Sequence, residues 1–130
     1  MMSHESNVSQ ATAHWARLFA SADPERMAAL YLPEAVLWGT FATRLIQGRP
    51  GIQAYFVRAF ASGVSPRAEL GEHVARVYGA LAVCSGHYTF TLGVQGEART
   101  LPARFSFTFQ RQDGLWLIAD HHSSLMPTAA

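Results

Sequence analysis

The sequence ends in a hairpin with a strict two-residue period. From Leu101 to Arg111 apolar and polar residues alternate, and one face carries Phe105, Phe107 and Phe109. Asp113-Gly114 is a strong hairpin turn signal, and a second apolar stretch begins directly after it. A two-residue period sustained across a turn requires a sheet with one buried face, which constrains the fold more than any other feature.

The turn also predicts the register of this hairpin. It pairs Phe109 with Ile118, Phe107 with Asp120, and Phe105 with His122. The Phe face would then also carry Trp116, Ile118, Asp120 and His122. The opposite face would carry Arg104, Ser106, His121 and Ser123. A β-bulge in this hairpin would exchange the two sets, because one extra residue reverses the alternation.

The first half of the chain has helical periodicity instead. The spacing predicts an amphipathic helix over residues 8–22, after a loose tail over residues 1–7, and a second helix from Asp23-Pro24 that stops before Pro33. A third helix begins at Arg49, and its apolar face is Ile52, Tyr55, Phe56, Ala59 and Phe60. Further strands are predicted over residues 35–40, 44–47, 68–78 and 81–93. Three helices packed against one antiparallel sheet give an α+β architecture in a single domain over residues 8–127.

Composition excludes several classes of function. The net charge is +1, and the basic residues are scattered singly, so neither nucleic acid nor a membrane is a predicted partner. All ten basic residues are Arg, which excludes lysine Schiff-base chemistry. Cys84 is the single cysteine, so no intrachain disulfide and no cysteine-based zinc site are predicted. There is no secretion signal, membrane span or dinucleotide fingerprint, and we therefore expect a cytoplasmic protein without a cofactor.

Three segments resemble a known family: Val36-Leu37-Trp38-Gly39-Thr40, Ala103-Arg104-Phe105-Ser106-Phe107, and residues 116–127 with their His-His-Ser-Ser-x-Met-Pro ending. With the order of elements, they resemble the nuclear transport factor 2-like (cystatin-like) superfamily. Within it, they are similar to the SnoaL-like branch that includes the SgcJ/EcaC-type proteins and is related to the association domain of calcium/calmodulin-dependent protein kinase II.

The resemblance implies a cone, in which helices and a strongly curved antiparallel sheet enclose a pocket. It also implies self-association through the outer face of the sheet, to a homodimer or a larger assembly. Two functions remain open. One is a cofactor-free acid–base enzyme of the isomerase, dehydratase or cyclase type, acting on an apolar cyclic or polyketide-like substrate. The alternative is a non-catalytic module for ligand binding or oligomerisation.

Asp120 and His122 are the candidate catalytic residues. In the predicted register both point inward, where apolar walls raise the pKa of a carboxylate and allow it to exchange protons. His122 would be its partner in a proton relay. A structural carboxylate paired with an Arg or a His is the slightly favoured alternative. Because His121 and His122 are adjacent on a strand and point in opposite directions, no metal site is predicted.

Two further groups of residues are candidates for binding. The predicted pocket lining is Trp38, Tyr55, Tyr88, Phe90 and Phe107, although buried aromatic residues most often serve only as core. The predicted outward-facing residues are His87, Arg104 and His121. For these we expect contacts with a second subunit or with an anion.

Overall fold

The computed structural model describes residues 3–128. The first helix, α1, spans His4–Phe19, because the Ser3 side chain caps it by accepting a hydrogen bond from the Ser6 amide at 3.1 Å. The prediction of a loose tail over residues 1–7 is therefore wrong from His4 onward, while Met1 and Met2 lie outside the described residues. No helix in the described part is both long and apolar enough to cross a membrane.

The second helix is shorter than predicted. Asp23 caps α2 (Pro24–Ala28) as expected, but the chain then enters strand β1 (Tyr31–Trp38) instead of remaining helical. Pairing across the sheet decides this: the Ile118 amide donates to the Leu30 carbonyl at 2.9 Å, and β1 continues beside the last strand. Pro33 lies at an exposed position in β1, where its missing amide proton is tolerated.

The third helix is positioned by its first residue. Strand β2 (Ile46–Gln47) is followed by Gly48, whose φ of +83° suits glycine, and then by α3 (Arg49–Ala59). The Arg49 guanidinium donates to the Tyr31 carbonyl at 2.5 and 3.1 Å, which ties the start of α3 to β1. Ile52 and Phe56 are buried on the predicted face.

The remaining strands are long and antiparallel, and all were predicted: β3 (Arg67–Tyr78), β4 (Leu81–Val94), β5 (Glu97–Gln112) and β6 (Leu115–Leu125). The six strands form one sheet in the order β2-β1-β6-β5-β4-β3. Because β1 runs parallel to β6, the sheet is mixed rather than wholly antiparallel. The predicted α+β class, with N-terminal helices packed on the sheet, is confirmed.

The last hairpin contains a β-bulge. Phe109 pairs with Ile118 as predicted, but Thr108 pairs with Asp120, so Ala119 is an extra residue on β6. Beyond the bulge the alternation of β6 is reversed relative to the uninterrupted register.

The bulge exchanges the two predicted faces at the end of β6. His121 and Ser123 are 2% and 5% exposed and lie on the inner face with the phenylalanines. Asp120 and His122 are exposed on the outer face. The predicted inward orientation of Asp120 and His122, and the outward one of His121, are therefore wrong, because the extra residue reverses the side-chain alternation.

Candidate functional site

A network of hydrogen-bonded side chains crosses the inner face of the sheet, with His121 at its centre. The Nδ1 atom of His121 lies 2.8 Å from the Tyr31 hydroxyl, and Nε2 lies 3.1 Å from the Tyr88 hydroxyl. Trp15, from α1, donates its indole N–H to the Tyr31 hydroxyl at 3.1 Å. The Phe107 ring packs against the imidazole, with 4.1 Å between ring centroids. Three strands and one helix thus hold a single imidazole in place.

From Tyr88 the hydrogen-bonded network continues toward the residues that follow β1. The Tyr88 hydroxyl donates to the Ser123 hydroxyl at 2.5 Å, and Ser123 is in turn hydrogen-bonded to the Thr40 hydroxyl. Tyr88 and Ser123 are buried, whereas Thr40 is partly exposed. The hydrogen-bonded network therefore extends from the centre of the core to a partly exposed residue.

The direction of these hydrogen bonds follows from the donors available. Tyr88 donates its one proton to Ser123, so it accepts from Nε2 of His121, and the neutral imidazole carries its proton on that nitrogen. Nδ1 therefore accepts from the Tyr31 hydroxyl, whose oxygen accepts the indole proton of Trp15. The six side chains of this network carry six donor protons but share five hydrogen bonds. The remaining proton belongs to Ser123 or Thr40.

Burial keeps the side chains of this hydrogen-bonded network uncharged. Desolvation, followed by the effect of His122, lowers the pKa of His121 to about 3. Desolvation also raises the pKa values of Tyr31 and Tyr88. Within the described residues no buried side-chain nitrogen or oxygen lacks a hydrogen-bond partner. At neutral pH the network is therefore a set of uncharged hydrogen-bond donors and acceptors.

Ser123 and Thr40 border a small inner cavity. Its free volume is about 20 Å³, which is room for roughly one water molecule. Five of its lining residues have polar side chains: Thr40, Tyr55, Tyr88, His121 and Ser123. Its other walls include Trp15, Leu37, Phe56 and Phe90. The spare hydroxyl proton therefore belongs to a residue that lines a mostly apolar cavity.

A wider cleft of about 360 Å³ adjoins this cavity. The two share four lining residues: Phe41, Tyr55, Ala59 and Leu92. The Tyr55 hydroxyl accepts a hydrogen bond from the Phe41 amide at 3.3 Å, and burial raises the pKa of Tyr55. Gly39 leaves the space for this ring, because a Cβ atom there would lie 2.4 Å from it. Tyr55 and Phe41 thus form the boundary between the cleft and the cavity.

The predicted pocket residues are only partly brought together. The cavity lining includes Tyr55, Tyr88 and Phe90. Phe107 is fully buried but packs behind His121 and does not line the cavity. Trp38 lines neither the cavity nor the cleft, so its predicted place in the pocket lining is wrong. It is 41% exposed, because it alternates with the buried Leu37 along β1. The ligand-binding role of these residues remains a prediction.

Trp15 is the tryptophan at the centre of the site, and it is not among the predicted pocket residues. It stacks on Tyr88, with 5.5 Å between ring centroids, and contacts the His121 ring edge-on at 5.3 Å. Its place on the apolar face of α1 could be read from the sequence. Its polar contact with Tyr31 could not, because only the tertiary fold joins α1 to β1.

The candidate catalytic residues do not reach the cavity or the cleft. Asp120 and His122 are exposed on the outer face, and no Asp or Glu lines either space in the part of the chain described. Within residues 3–128 the one ion pair joins Arg67 and Glu69, so the predicted structural pairing of Asp120 with an Arg is absent there too. No group of three or more His, Cys, Asp or Glu side chains over the same residues is arranged to hold a metal ion.

The outward-facing candidates separate into two cases. Arg104 and His87 are exposed on the outer face, as predicted. The Arg104 Nε atom donates to the Ser124 hydroxyl at 3.3 Å, and His87 Nε2 accepts from the Glu72 amide at 3.2 Å. Their role at an interface or with an anion remains a prediction. For His121 that role is wrong, because its side chain is buried.

Residues 8–129 match the family model of a SnoaL-like domain. Among solved structures, a protein from Xanthomonas campestris, provisionally described as a calcium/calmodulin-dependent protein kinase II association domain, is 32% identical. That match has a TM-score of 0.84 and covers 94% of this chain and 87% of that one. A search of curated proteins gave no match.

More distant structures share the fold. An NTF2-like protein with a cystatin-like fold from Novosphingobium aromaticivorans is 20% identical, with a TM-score of 0.76 and coverage of 96% and 83% of the two chains. A protein from Streptomyces avermitilis, provisionally described as a dehydratase of the NTF2-like family, is 15% identical. Its TM-score is 0.83, and the match covers 95% of this chain and 96% of that one.

Proposed function

This chain belongs to the SnoaL-like domain family, and on that premise we propose that it binds a small apolar molecule that carries a hydrogen-bond-accepting oxygen, such as a ketone. The observation that carries the proposal is the unused hydroxyl proton at Ser123 or Thr40. An apolar cavity with few, well-placed polar groups is the usual form of a small-molecule site. An apolar ligand would occupy the cleft and direct its oxygen inward.

Movement at the boundary is part of the proposal. The inner cavity has room for about one water molecule, so a ligand oxygen enters it beside Thr40 when Phe41 or Tyr55 rotates. Phe41 is 46% exposed and follows β1 in a turn, where rotation of its side chain costs little packing. The cleft already accommodates the rest of a ligand.

Binding is better supported than turnover. Neutral donors aimed at a carbonyl oxygen stabilise negative charge that develops there, which is the electrophilic half of isomerisation, dehydration or cyclisation. The other half is a proton acceptor whose pKa is near the working pH. His121, with a pKa of about 3, is a weak base, and neither cavity nor cleft is lined by a carboxylate in the described part. A catalytic role for Asp120 and His122 has no support from the lining of either space.

The test compares two probes of the same shape by isothermal titration calorimetry: 2-acetylnaphthalene, and 2-isopropenylnaphthalene, in which a methylene group replaces the carbonyl oxygen. We expect the ketone to bind more tightly, and Thr40→Val to weaken its binding about fivefold, as expected for one neutral hydrogen bond. The hydrocarbon should be unaffected. Thr100→Val is the matched control, since Thr100 is exposed on β5 and lines neither space. Equal affinity for the two probes in the wild type, or no binding of either, would contradict the proposal.

Self-association is the second candidate, and the outer face of the sheet favours it. Val74, Tyr78 and Leu81 are 59%, 60% and 48% exposed there. Arg76 and Asp120 lie in one cross-strand row of the outer face, because Arg76 pairs with Val83, Val83 with Thr108, and Thr108 with Asp120. A two-fold axis parallel to the strands would place each Arg76 opposite Asp120 of a second copy. The association-domain description of the Xanthomonas campestris relative supports the same proposal.

A further inference from the structure

Arg58 is the one charged side chain that lines the cleft in the described part of the chain. The other lining residues are Phe41, Ala42, Tyr55, Ala59, Leu92, Gly93 and Val94. Arg58 is three residues beyond Tyr55 on α3, so the two side chains lie on the same face of the helix. The side chains that line the cleft are thus mostly apolar, and the exposed Arg58 is the charged residue among them.

The fold does not use this guanidinium. Over residues 3–128 the one ion pair joins Arg67 and Glu69, and no hydrogen bond there involves the Arg58 side chain. Arg49, by contrast, is held by the Tyr31 carbonyl, and Arg104 by Ser124. Arg58 lies in the last turn of α3, where a positive charge is favourable, but that effect is a few tenths of a kcal/mol at an exposed site.

The two polar elements of the site lie at different depths. Thr40 and Ser123 line the inner cavity and not the cleft, whereas Arg58 lines the cleft and not the cavity. Between them are the apolar side chains of Phe41, Ala59 and Leu92 and the Tyr55 ring, which border both spaces. A ligand that fits this arrangement is polar at both ends and apolar in the middle.

We propose that the ligand is an organic anion whose carboxylate binds Arg58 in the cleft and whose neutral oxygen, at the opposite end of an apolar body, accepts from Thr40 or Ser123. This inference rests on the proposed function and specifies its ligand class. Guanidinium binds carboxylate through two parallel hydrogen bonds, so the contact orients the ligand as well as attracting it. The apolar body then points its far end toward the inner cavity.

The test extends the ketone probe by one group. 6-Acetyl-2-naphthoate carries a carboxylate at the end opposite its acetyl group, and 2-acetylnaphthalene lacks it. We expect the carboxylate to bind the wild type about fivefold more tightly, a modest gain because the guanidinium is exposed. Arg58→Gln should remove this difference between the two probes, and raising the salt concentration should reduce the difference in the wild type.

The control is Arg26→Gln, because Arg26 is an exposed arginine of α2 that lines neither the cavity nor the cleft. It should retain the preference for the carboxylate. If 2-acetylnaphthalene binds in a Thr40-dependent way but the carboxylate adds nothing, or its gain survives Arg58→Gln, the anion inference is wrong and the proposed function stands. If 2-acetylnaphthalene does not bind at all, the proposed function fails, and the inference fails with it.

Discussion

His121 is neutral because its environment excludes water, and its hydrogen bonds depend on that neutral state. Nδ1 accepts from Tyr31, and a protonated imidazole could no longer accept there. The surrounding aromatic rings offer no countercharge, which is why desolvation lowers the pKa of His121 to about 3. This residue therefore links the integrity of the site to pH.

We predict that stability falls as the pH drops below about 6.5, the ordinary pKa of an unfolded histidine. Between about pH 6.5 and pH 3 the unfolded chain binds a proton at position 121 that the folded chain does not. The contribution of His121 to the free energy of unfolding is thus complete above about pH 6.5. It is lost on acidification, by up to about 1.4 kcal/mol per pH unit. Urea denaturation at pH 7.5 and pH 5 measures the loss.

Two variants isolate this contribution from that of other titrating groups. His121→Gln replaces the imidazole with an uncharged group that can still accept and donate, so the loss between pH 7.5 and pH 5 should become smaller. His122→Gln alters an exposed neighbour and should leave most of the loss in place. An identical pH dependence in wild type and His121→Gln would show that His121 does not cause it.

At the scale of the element, the bulge at Ala119 determines which side chains of β6 face the core. Before it, Trp116 and Ile118 point inward; after it, His121 and Ser123 do. Even-numbered residues of β6 therefore face the core before the bulge, and odd-numbered residues face it after the bulge. Without it, a carboxylate at Asp120 would be buried against phenylalanine rings, at a cost of several kcal/mol.

A pair of adjacent substitutions tests this register. Ser123→Glu should destabilise the protein by about 3 kcal/mol or more, because a long charged side chain would enter the buried network. Ser124→Glu, one residue further on the outer face and opposite Arg104, should change stability by less than about 0.5 kcal/mol. The measurement is the free energy of unfolding in urea. The reverse order of the two effects would mean that β6 lacks the bulge.

At the scale of the whole molecule, the outer face of the sheet is the surface left for a second copy. The helices cover the inner face, while the outer face exposes Val74 and Tyr78 beside a cross-strand row that contains Arg76 on β3 and Asp120 on β6. Opposite charges at two positions of one row are self-complementary under a two-fold axis that passes midway between them. This arrangement predicts an isologous dimer with two symmetric ion pairs.

We expect Arg76→Glu to weaken this dimer, because it places two carboxylates opposite each other at both predicted ion-pair positions. The double variant Arg76→Glu with Asp120→Arg should restore it by exchanging the charges. Arg26→Glu, on α2, is the matched control and should leave assembly unchanged. Sedimentation velocity over a range of concentrations reports the mass. If the wild type is a monomer throughout, or Arg76→Glu assembles like it, the proposed dimer is wrong.

The local periodicities of the sequence determined most of the elements. The two-residue alternation around Phe107, the Asp113-Gly114 turn and the helical spacing around Trp15 each specify a structure from residues close together in the chain. They were sufficient for the α+β class, for the long strands and for the pairing of Phe109 with Ile118. Three of the predicted lining residues, Tyr55, Tyr88 and Phe90, followed from the same patterns.

Contacts between distant segments decided the rest. The bulge at Ala119, and with it the inward position of His121, is selected by the partners that an imidazole finds inside, and Tyr31 is 90 residues away in sequence. The early end of α2 depends in the same way on the pairing of β1 with β6. A strand with and without a bulge has nearly the same local pattern, so short-range periodicity cannot distinguish them. Only the burial of the completed fold determined which side chains form the site.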